Sequence, residues 1–158
     1  MALNRTKLVL LATAAVLVAV VSFWVWGSWL HTAGVSIQNG LPTKTIHLGD
    51  ADVVVEVAST PDAEQRGLSG RPSLPEGRGM LFDMGSDSEW GFWMKDMAFA
   101  IDIVWLAKDG RVVYIASNVS PSTYPEVFKP DAPARYVLEL PAGYTAAAGV
   151  GVGDKIVL

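Results

Sequence analysis

Short apolar runs separated by turn-forming residues dominate the chain after residue 43. The runs Asp52–Ala58, Ile101–Ala107 and Arg135–Leu140 are rich in Val, Ile or Leu. Pairs such as Gly49-Asp50, which favour turns, separate such runs. Runs of this length and composition favour strands over helices. We therefore predict a mainly β domain at residues 44–158, folded as a compact barrel or sandwich with one or two short helices.

The turn residues divide this domain into eight predicted strands and two helical turns. The strands are Thr45–Leu48, Asp52–Ala58, Gly79–Asp83, Trp90–Lys95, Ile101–Ala107, Arg111–Ala116, Arg135–Leu140 and Lys155–Leu158. The first helix is predicted from Thr60 as its N-terminal cap, Pro61 in its first turn and Gly67 as its end. The second is predicted at Tyr144–Ala148, where the chain is rich in alanine.

An uncharged apolar run, Leu8–Leu30, lies near the N-terminus. As a helix it would span roughly 34 Å at about 1.5 Å per residue, slightly more than a bilayer core of about 30 Å. We predict that residues 1–30 form a retained membrane anchor and that residues 31–43, with their glycines, proline and small polar residues, form a linker. A cleaved signal peptide is the alternative, since Thr32-Ala33-Gly34 resembles a weak cleavage sequence.

The charges around the apolar run predict its orientation. Arg5 and Lys7 precede it, and the next Lys or Arg along the chain is Lys44. The positive-inside rule then places the N-terminus in the cytoplasm and residues 44–158 outside, in the cell envelope or periplasm. The far end of the run carries Trp24, Trp26 and Trp29. Indole rings favour the membrane–water interface, as expected for this end of an anchor.

Composition excludes several classes of function. The chain has no cysteine, which excludes a disulfide framework, a lipoprotein thioether and thiol chemistry. Beyond residue 40 there are 10 Lys and Arg against 16 Asp and Glu, a net charge of −6, which argues against a nucleic-acid partner. The histidines are His31 and His47, and the common catalytic and phosphate-binding motifs are absent from the sequence. No catalytic residue, metal or cofactor is assigned.

A set of motifs spread over residues 45–158 resembles a known family. They are Gln65-Arg66-Gly67-Leu68, Arg71 with Leu74, Gly79-Met80-Leu81-Phe82, Phe92-Trp93-Met94-Lys95, Ile101-Asp102-Ile103, Asp109-Gly110-Arg111-Val112, Val137-Leu138-Glu139-Leu140 with Ala142-Gly143, and Gly153-Asp154. In order and spacing they resemble the domain of unknown function 192 family, also called uncharacterised protein family 0127. The resemblance implies a small β-rich domain, often exported or membrane-tethered, with no agreed activity or cofactor. Asp96 replaces an amide common in the family, and Ser120-Pro121-Ser122 lacks a cysteine that some members have.

Two carboxylates lie within predicted strands and have apolar neighbours on both faces. Asp102 follows Ile101 and precedes Ile103, and Glu139 lies between Leu138 and Leu140. A buried carboxylate without a partner is costly, so we expect a cation beside each one. The candidate cations are Arg66, Arg71, Lys95 and Arg135.

These charges allow a structural and a functional interpretation. In the structural one they form ion pairs that stabilise the fold. In the functional one they line a polar cleft that holds a small ligand against an aromatic wall. The residues of this predicted ligand site are Arg66, Trp93, Lys95, Asp102 and Glu139, with Trp90 as the alternative wall. On the functional interpretation the domain is a membrane-anchored binding or envelope-associated module.

Two other functions are compatible with the residues. Asp102 and Glu139 could act as the acid and base of an envelope glycan hydrolase, which needs two carboxyl groups flanking one bond. Alternatively, four methionines could bind Cu(I) through their thioethers, although methionine is also a common filler of irregular cores. These methionines are Met80, Met84, Met94 and Met97.

Overall fold

One mainly antiparallel β-sheet organises the part of the chain that the structure describes. The computed structural model describes residues 37, 38 and 40–158. Within them the strands are β1 (Ile37–Gln38), β2 (Leu41–Leu48), β3 (Ala51–Ala58), β4 (Arg78–Ser88), β5 (Ile101–Leu106), β6 (Val112–Val119) and β7 (Ala134–Pro141). The helices are α1 (Pro61–Arg66), α2 (Tyr144–Ala147) and a 3-10 turn at Pro121–Thr123.

One pair of neighbouring strands is parallel, and this pair positions the site described below. The strands lie in the order β1-β2-β3-β4-β7-β5-β6, in which β3 and β4 run parallel and the other neighbours antiparallel. Parallel neighbours need a crossover connection, because the chain must return to the same end of the sheet. Here the crossover consists of α1 and the loop at residues 67–77.

The sheet buries apolar side chains on both faces. One face, called the α1 face, carries Met80, Phe82, Ile103, Trp105 and Val137, against which Ala63 of α1 packs. The other, the α2 face, carries Leu81, Val104, Leu106, Leu138 and Leu140, against which Tyr144 of α2 packs. Alternate residues of a strand point to opposite faces. Because both faces are covered, β5 is buried at every residue, which explains its continuous apolar sequence.

The prediction of a mainly β domain with one or two short helices is confirmed, but the predicted compact barrel or sandwich is wrong, because the sheet is not closed. The described strands form one open sheet, with β1 and β6 at its ends. The C-terminal residues do not close it, since they make only isolated bridges, Lys155 with Arg111 and Val157 with His47. The crossover places α1 and its loop over one face, where a sandwich would have a second sheet.

The element predictions fail where tertiary contacts replace strand pairing. Trp90–Lys95 is not a strand, because only Phe92 forms a bridge, to Phe128, and its ring packs edge-on against Phe82 at 4.9 Å. Asp96 adopts a φ of 56° and turns the chain directly afterwards. By contrast, α1 begins and ends as predicted: the N–H of Ala63 donates to Oγ1 of its cap Thr60, at 3.4 Å, and Gly67 ends the helix with a φ of 50°.

The predicted anchor Leu8–Leu30 lies outside the described residues. Within residues 37, 38 and 40–158, no helix has the length and apolar character needed to cross a bilayer. Strand β2 starts at Leu41, slightly before the strand predicted at Thr45.

Candidate functional site

The crossover between β3 and β4 borders a cavity of about 790 Å³. Its walls come from β3, the start of β4, α1 and the loop at residues 67–77, with Leu41 at the start of β2. Cavities that hold small ligands are commonly about 300–1,000 Å³. Apolar side chains, including Leu41, Val54 and Leu74, supply part of the lining. The cavity is therefore large enough, and apolar enough, for a small organic molecule.

Arg71 is held in this cavity by an ion pair with Glu56 of β3. Its Nη1 and Nη2 donate to Oε1 and Oε2 of Glu56 at 2.7 and 2.8 Å, and the side chains are 23% and 11% exposed. This hydrogen bonding raises the pKa of Arg71 and outweighs the opposing effect of burial. The bidentate geometry fixes both groups and leaves the pair formally neutral.

Two further arginines line the cavity and form no ion pair within the described part of the chain. They are Arg66, exposed at the end of α1, and Arg78, half-buried at the start of β4. Among the described residues neither has a carboxylate oxygen within 4.0 Å. Apart from Glu56, Asp62 is the acidic residue of the lining. The cavity thus offers two guanidinium groups whose hydrogen-bonding capacity is not used by an ion pair.

Glu139 lies on the α1 face, opposite Met80 of β4, where the charge of Arg71 in the cavity lining acts on it. The Glu139 residue is 6% exposed, and its Oε2 has no hydrogen-bond partner among the described residues. Burial raises the pKa of Glu139 to about 8, although the charge of Arg71 opposes this shift. Glu139 therefore holds a proton at neutral pH.

Asp102 lies on the α2 face, away from the cavity, and its carboxylate is fully buried. Its Oδ1 accepts from the N–H groups of Asn118 and Gly143, at 2.8 and 3.0 Å. Its Oδ2 accepts from the N–H and Oγ1 of Thr145, at 3.0 and 2.7 Å. Burial alone would raise the pKa of Asp102, but these bonds to the charged form lower it overall. Asp102 thus joins β5 to a bulge of β6 and to the start of α2.

The predicted site residues Trp93 and Lys95 do not line the cavity, but the segment that carries them supports its loop. The carbonyls of Lys95 and Asp96 accept from Oγ of Ser69 and from the N–H of Gly70, each at 2.9 Å. Trp93 is 53% exposed and packs edge-on against Tyr124 with ring centroids 6.0 Å apart. Asp96 itself adopts the left-handed conformation, which Asp and Asn tolerate better than most residues.

The structure brings together only part of the predicted ligand site. Arg66 lines the cavity and Glu139 interacts with Arg71 of the lining, whereas Asp102 is on the opposite face of the sheet. Asp102 and Glu139 therefore do not flank one bond, as the hydrolase interpretation requires. Of the other candidate cations, Arg135 donates to Asp83 at 2.8 Å.

The methionines of the copper interpretation all belong to the core of the α1 face. Met80 and Met94 are buried, and Met84 and Met97 pack against the same cluster. Aromatic rings, including those of Phe82, Trp90 and Trp105, belong to or pack against the same cluster. No group of three or more His, Cys, Asp or Glu suited to a metal occurs within the described part of the chain. This packing is the role expected of methionine as a core filler.

Glu56 is the residue that sequence reasoning missed. It lies in the run Val53–Ala58, where it is the carboxylate among apolar neighbours. The argument applied to Asp102 and Glu139 would have identified it, since a charge in an apolar strand needs a partner. Its partner Arg71 was among the candidate cations.

Comparison with known proteins agrees with the sequence resemblance. The family model DUF192, described as an uncharacterized ACR, matches residues 44–158. The chain belongs to the DUF192 family. No curated protein matches the chain.

Two solved structures share the DUF192 fold seen here. A protein of Sinorhizobium meliloti 1021, described as a proposed transcription regulator, is 31% identical with a TM-score of 0.69; the match covers 73% of this chain and 93% of that chain. A protein of unknown function from Novosphingobium aromaticivorans DSM 12444 is 27% identical with a TM-score of 0.72, covering 82% and 94%. Neither relative supplies a reaction for this DUF192 domain.

Proposed function

We propose that this DUF192 domain is a binding module that holds a small anionic ligand in the cavity beside α1. The observation that carries the proposal is that Arg66 and Arg78 line the cavity and form no ion pair with any described residue. Guanidinium groups bind carboxylate, sulfonate and phosphate oxygens with paired hydrogen bonds. No reaction is assigned, because the groups that line the cavity suit binding rather than a defined chemical step.

The local charge favours an anion. Arg71 is neutralised by Glu56, and Glu139 is protonated at neutral pH, so the remaining charges of the lining are Arg66, Arg78 and Asp62. The cavity therefore carries net positive charge within a domain whose overall charge is negative. A local positive potential of this kind attracts anions to the site. The apolar side chains of the lining suit a ligand with an apolar part.

Benzenesulfonate is a suitable probe, because it combines a fixed negative charge with an apolar ring. We expect it to bind the purified domain, measured by isothermal titration calorimetry at low salt. Losing one charge-assisted hydrogen-bonding group costs about 1.5–3 kcal/mol. The variants Arg66→Gln and Arg78→Gln should therefore each weaken binding about tenfold or more.

Arg111→Gln is the matched control, because Arg111 contacts Asp109 and lies outside the cavity lining. It should bind the probe as the unmodified domain does. Equal affinities for all four proteins would contradict the proposed site, and so would a failure of the unmodified domain to bind.

We also propose that Leu8–Leu30 tethers this module to a membrane, with residues 44–158 outside the cytoplasm. The proposal is supported by the length of the uncharged run and by Arg5 and Lys7 before it. The module would then sample small anions in the cell envelope or periplasm.

A further inference from the structure

We propose, on the basis of the anion site above, that the cavity binds its anion together with a proton held by Glu139. The anion binds tightly while Glu139 is neutral and weakly when Glu139 is ionised. Glu139 does not line the cavity, so it acts through its charge, which interacts with Arg71 of the lining, rather than through contact with the ligand.

The surroundings of Glu139 contain a single cation among the described residues. In the register of the sheet, its neighbours are Met80 of β4 and Ile103 of β5, which are both apolar and buried. From the crossover loop the charge of Arg71 acts on Glu139, and from β3 Glu56 binds that same guanidinium. Asp102 and α2 lie on the opposite face, so they do not face this carboxyl group.

Ionisation of Glu139 would change the charge next to the cavity. With Glu139 neutral, Arg71 and Glu56 form a balanced pair. With Glu139 ionised, Arg71 would face two buried carboxylates, and this group of three would carry a net negative charge. A buried charge acts strongly on its neighbours, because the effective dielectric constant is far below that of water. An anion held by Arg66 and Arg78 would therefore be repelled.

The coupling is reciprocal. If an ionised Glu139 weakens anion binding, a bound anion must make Glu139 hold its proton more tightly by the same factor. Near pH 8, where about half of the free protein has lost this proton, binding should consequently take up protons from solution. The affinity should change by about tenfold for each unit by which the bound anion raises the pKa of Glu139.

The cavity is suited to a clean test of this coupling. Its described lining contains no Lys, His or Tyr, so Glu139 is the group near the site expected to titrate between pH 6.5 and 9.5. Benzenesulfonate keeps its charge over this range. Its affinity for the domain is measured by calorimetry at pH 6.5, 7.5, 8.5 and 9.5, and at pH 8 in two buffers with different ionisation enthalpies.

We expect binding several-fold weaker at pH 9.5 than at pH 6.5, with proton uptake at pH 8. Glu139→Gln keeps the shape of the neutral carboxyl group and cannot ionise. It should bind equally well at pH 6.5 and 9.5 with no proton uptake. The uptake measured on the unmodified domain tests the coupling even if this variant does not fold.

The outcomes separate this inference from the proposed function. Equal affinity at all four pH values without proton uptake would overturn the proton coupling and leave the anion site intact. A pH dependence that persists in a folded Glu139→Gln variant would overturn the role of Glu139. Failure to bind at any pH would overturn the anion site and the coupling together.

Discussion

At the scale of single residues, Asp102 is predicted to matter for stability rather than for binding. Asn in place of Asp102 keeps one acceptor oxygen. Its amide NH2 group replaces the other oxygen, so a donor then faces the donors that this oxygen accepted from. Asp102→Asn should therefore lower the free energy of unfolding by roughly 2–5 kcal/mol, because buried donors lose their partners. Urea denaturation measures this loss. Asp109→Asn, at an exposed turn carboxylate, is the control and should change stability by less than about 1 kcal/mol. Equal effects would contradict the role given to Asp102.

Glu139 should make the fold less stable as the pH rises. Its pKa is raised from 4.5 to about 8, so its contribution is fully present below pH 4.5 and is lost as the pH rises towards 8. At about 1.4 kcal/mol per pKa unit the loss reaches at most about 5 kcal/mol. Urea unfolding at pH 5, 6.5 and 8 measures it, and Glu139→Gln should remove most of the decline. Parallel stability curves for the two proteins would contradict this.

The sequence around Asp102 and Glu139 predicts their burial but not their hydrogen-bond partners. The apolar neighbours of Asp102 and Glu139 correctly predict burial. The expectation of a cation beside each one is wrong for Asp102, whose partners are main-chain N–H groups and Thr145. Such partners come from a bulge and a helix start that are distant in sequence, and their N–H groups carry no residue-specific signal. For Glu139 the cation Arg71 is nearby, but its hydrogen bonds go to Glu56.

At the scale of elements, the tie between the crossover loop and β3 should be cooperative. Arg71→Met removes the bidentate partner of a largely buried Glu56 and should destabilise the domain by about 3 kcal/mol or more. Adding Glu56→Gln removes the charge that Arg71 neutralised. The double variant should therefore be less destabilised than the sum of the two single variants. A double-mutant cycle from urea unfolding measures the coupling, and additive effects would show that the pair does not hold the loop.

Local signals predict elements better than they predict pairings. Thr60, Pro61 and Gly67 fix both ends of α1, because capping depends on residues adjacent in the chain. The strand predicted at Trp90–Lys95 has an equally apolar sequence, but its Phe92 packs edge-on against Phe82 instead of extending a ladder. The parallel pairing of β3 with β4, which creates the cavity, likewise depends on contacts distant in sequence. The strand predictions contain no signal for that pairing.

At the scale of the whole molecule, the open sheet follows from how the chain covers its two faces. The crossover with α1 covers one face, and α2 with the C-terminal residues covers the other, so no second sheet is needed to bury the core. Apolar runs and turn spacing predict many strands in both an open sheet and a barrel. The order of the strands distinguishes these architectures, and it is set by long-range pairing.

The membrane topology proposed for the full chain can be measured in the cell. The chain has no cysteine, so a single introduced cysteine can report on which side of a membrane it lies. Ser88→Cys, at the exposed end of β4, should react with a membrane-impermeant maleimide in intact spheroplasts, whereas Thr6→Cys, before the apolar run, should react only after lysis.

The unmodified chain is the control for this labelling, because it has no thiol to react. Labelling of Thr6→Cys alone in intact spheroplasts would contradict the proposed orientation. If the run is instead a cleaved signal peptide, the mature domain would be found outside the membrane fraction. In the Thr6→Cys variant it would then carry no label even after lysis, because the cysteine is removed with the peptide. With a retained anchor, the labelled Ser88→Cys protein should stay in the membrane fraction at high salt. Salt weakens ionic adhesion to a membrane, but it does not release a helix inserted in the apolar core of the bilayer.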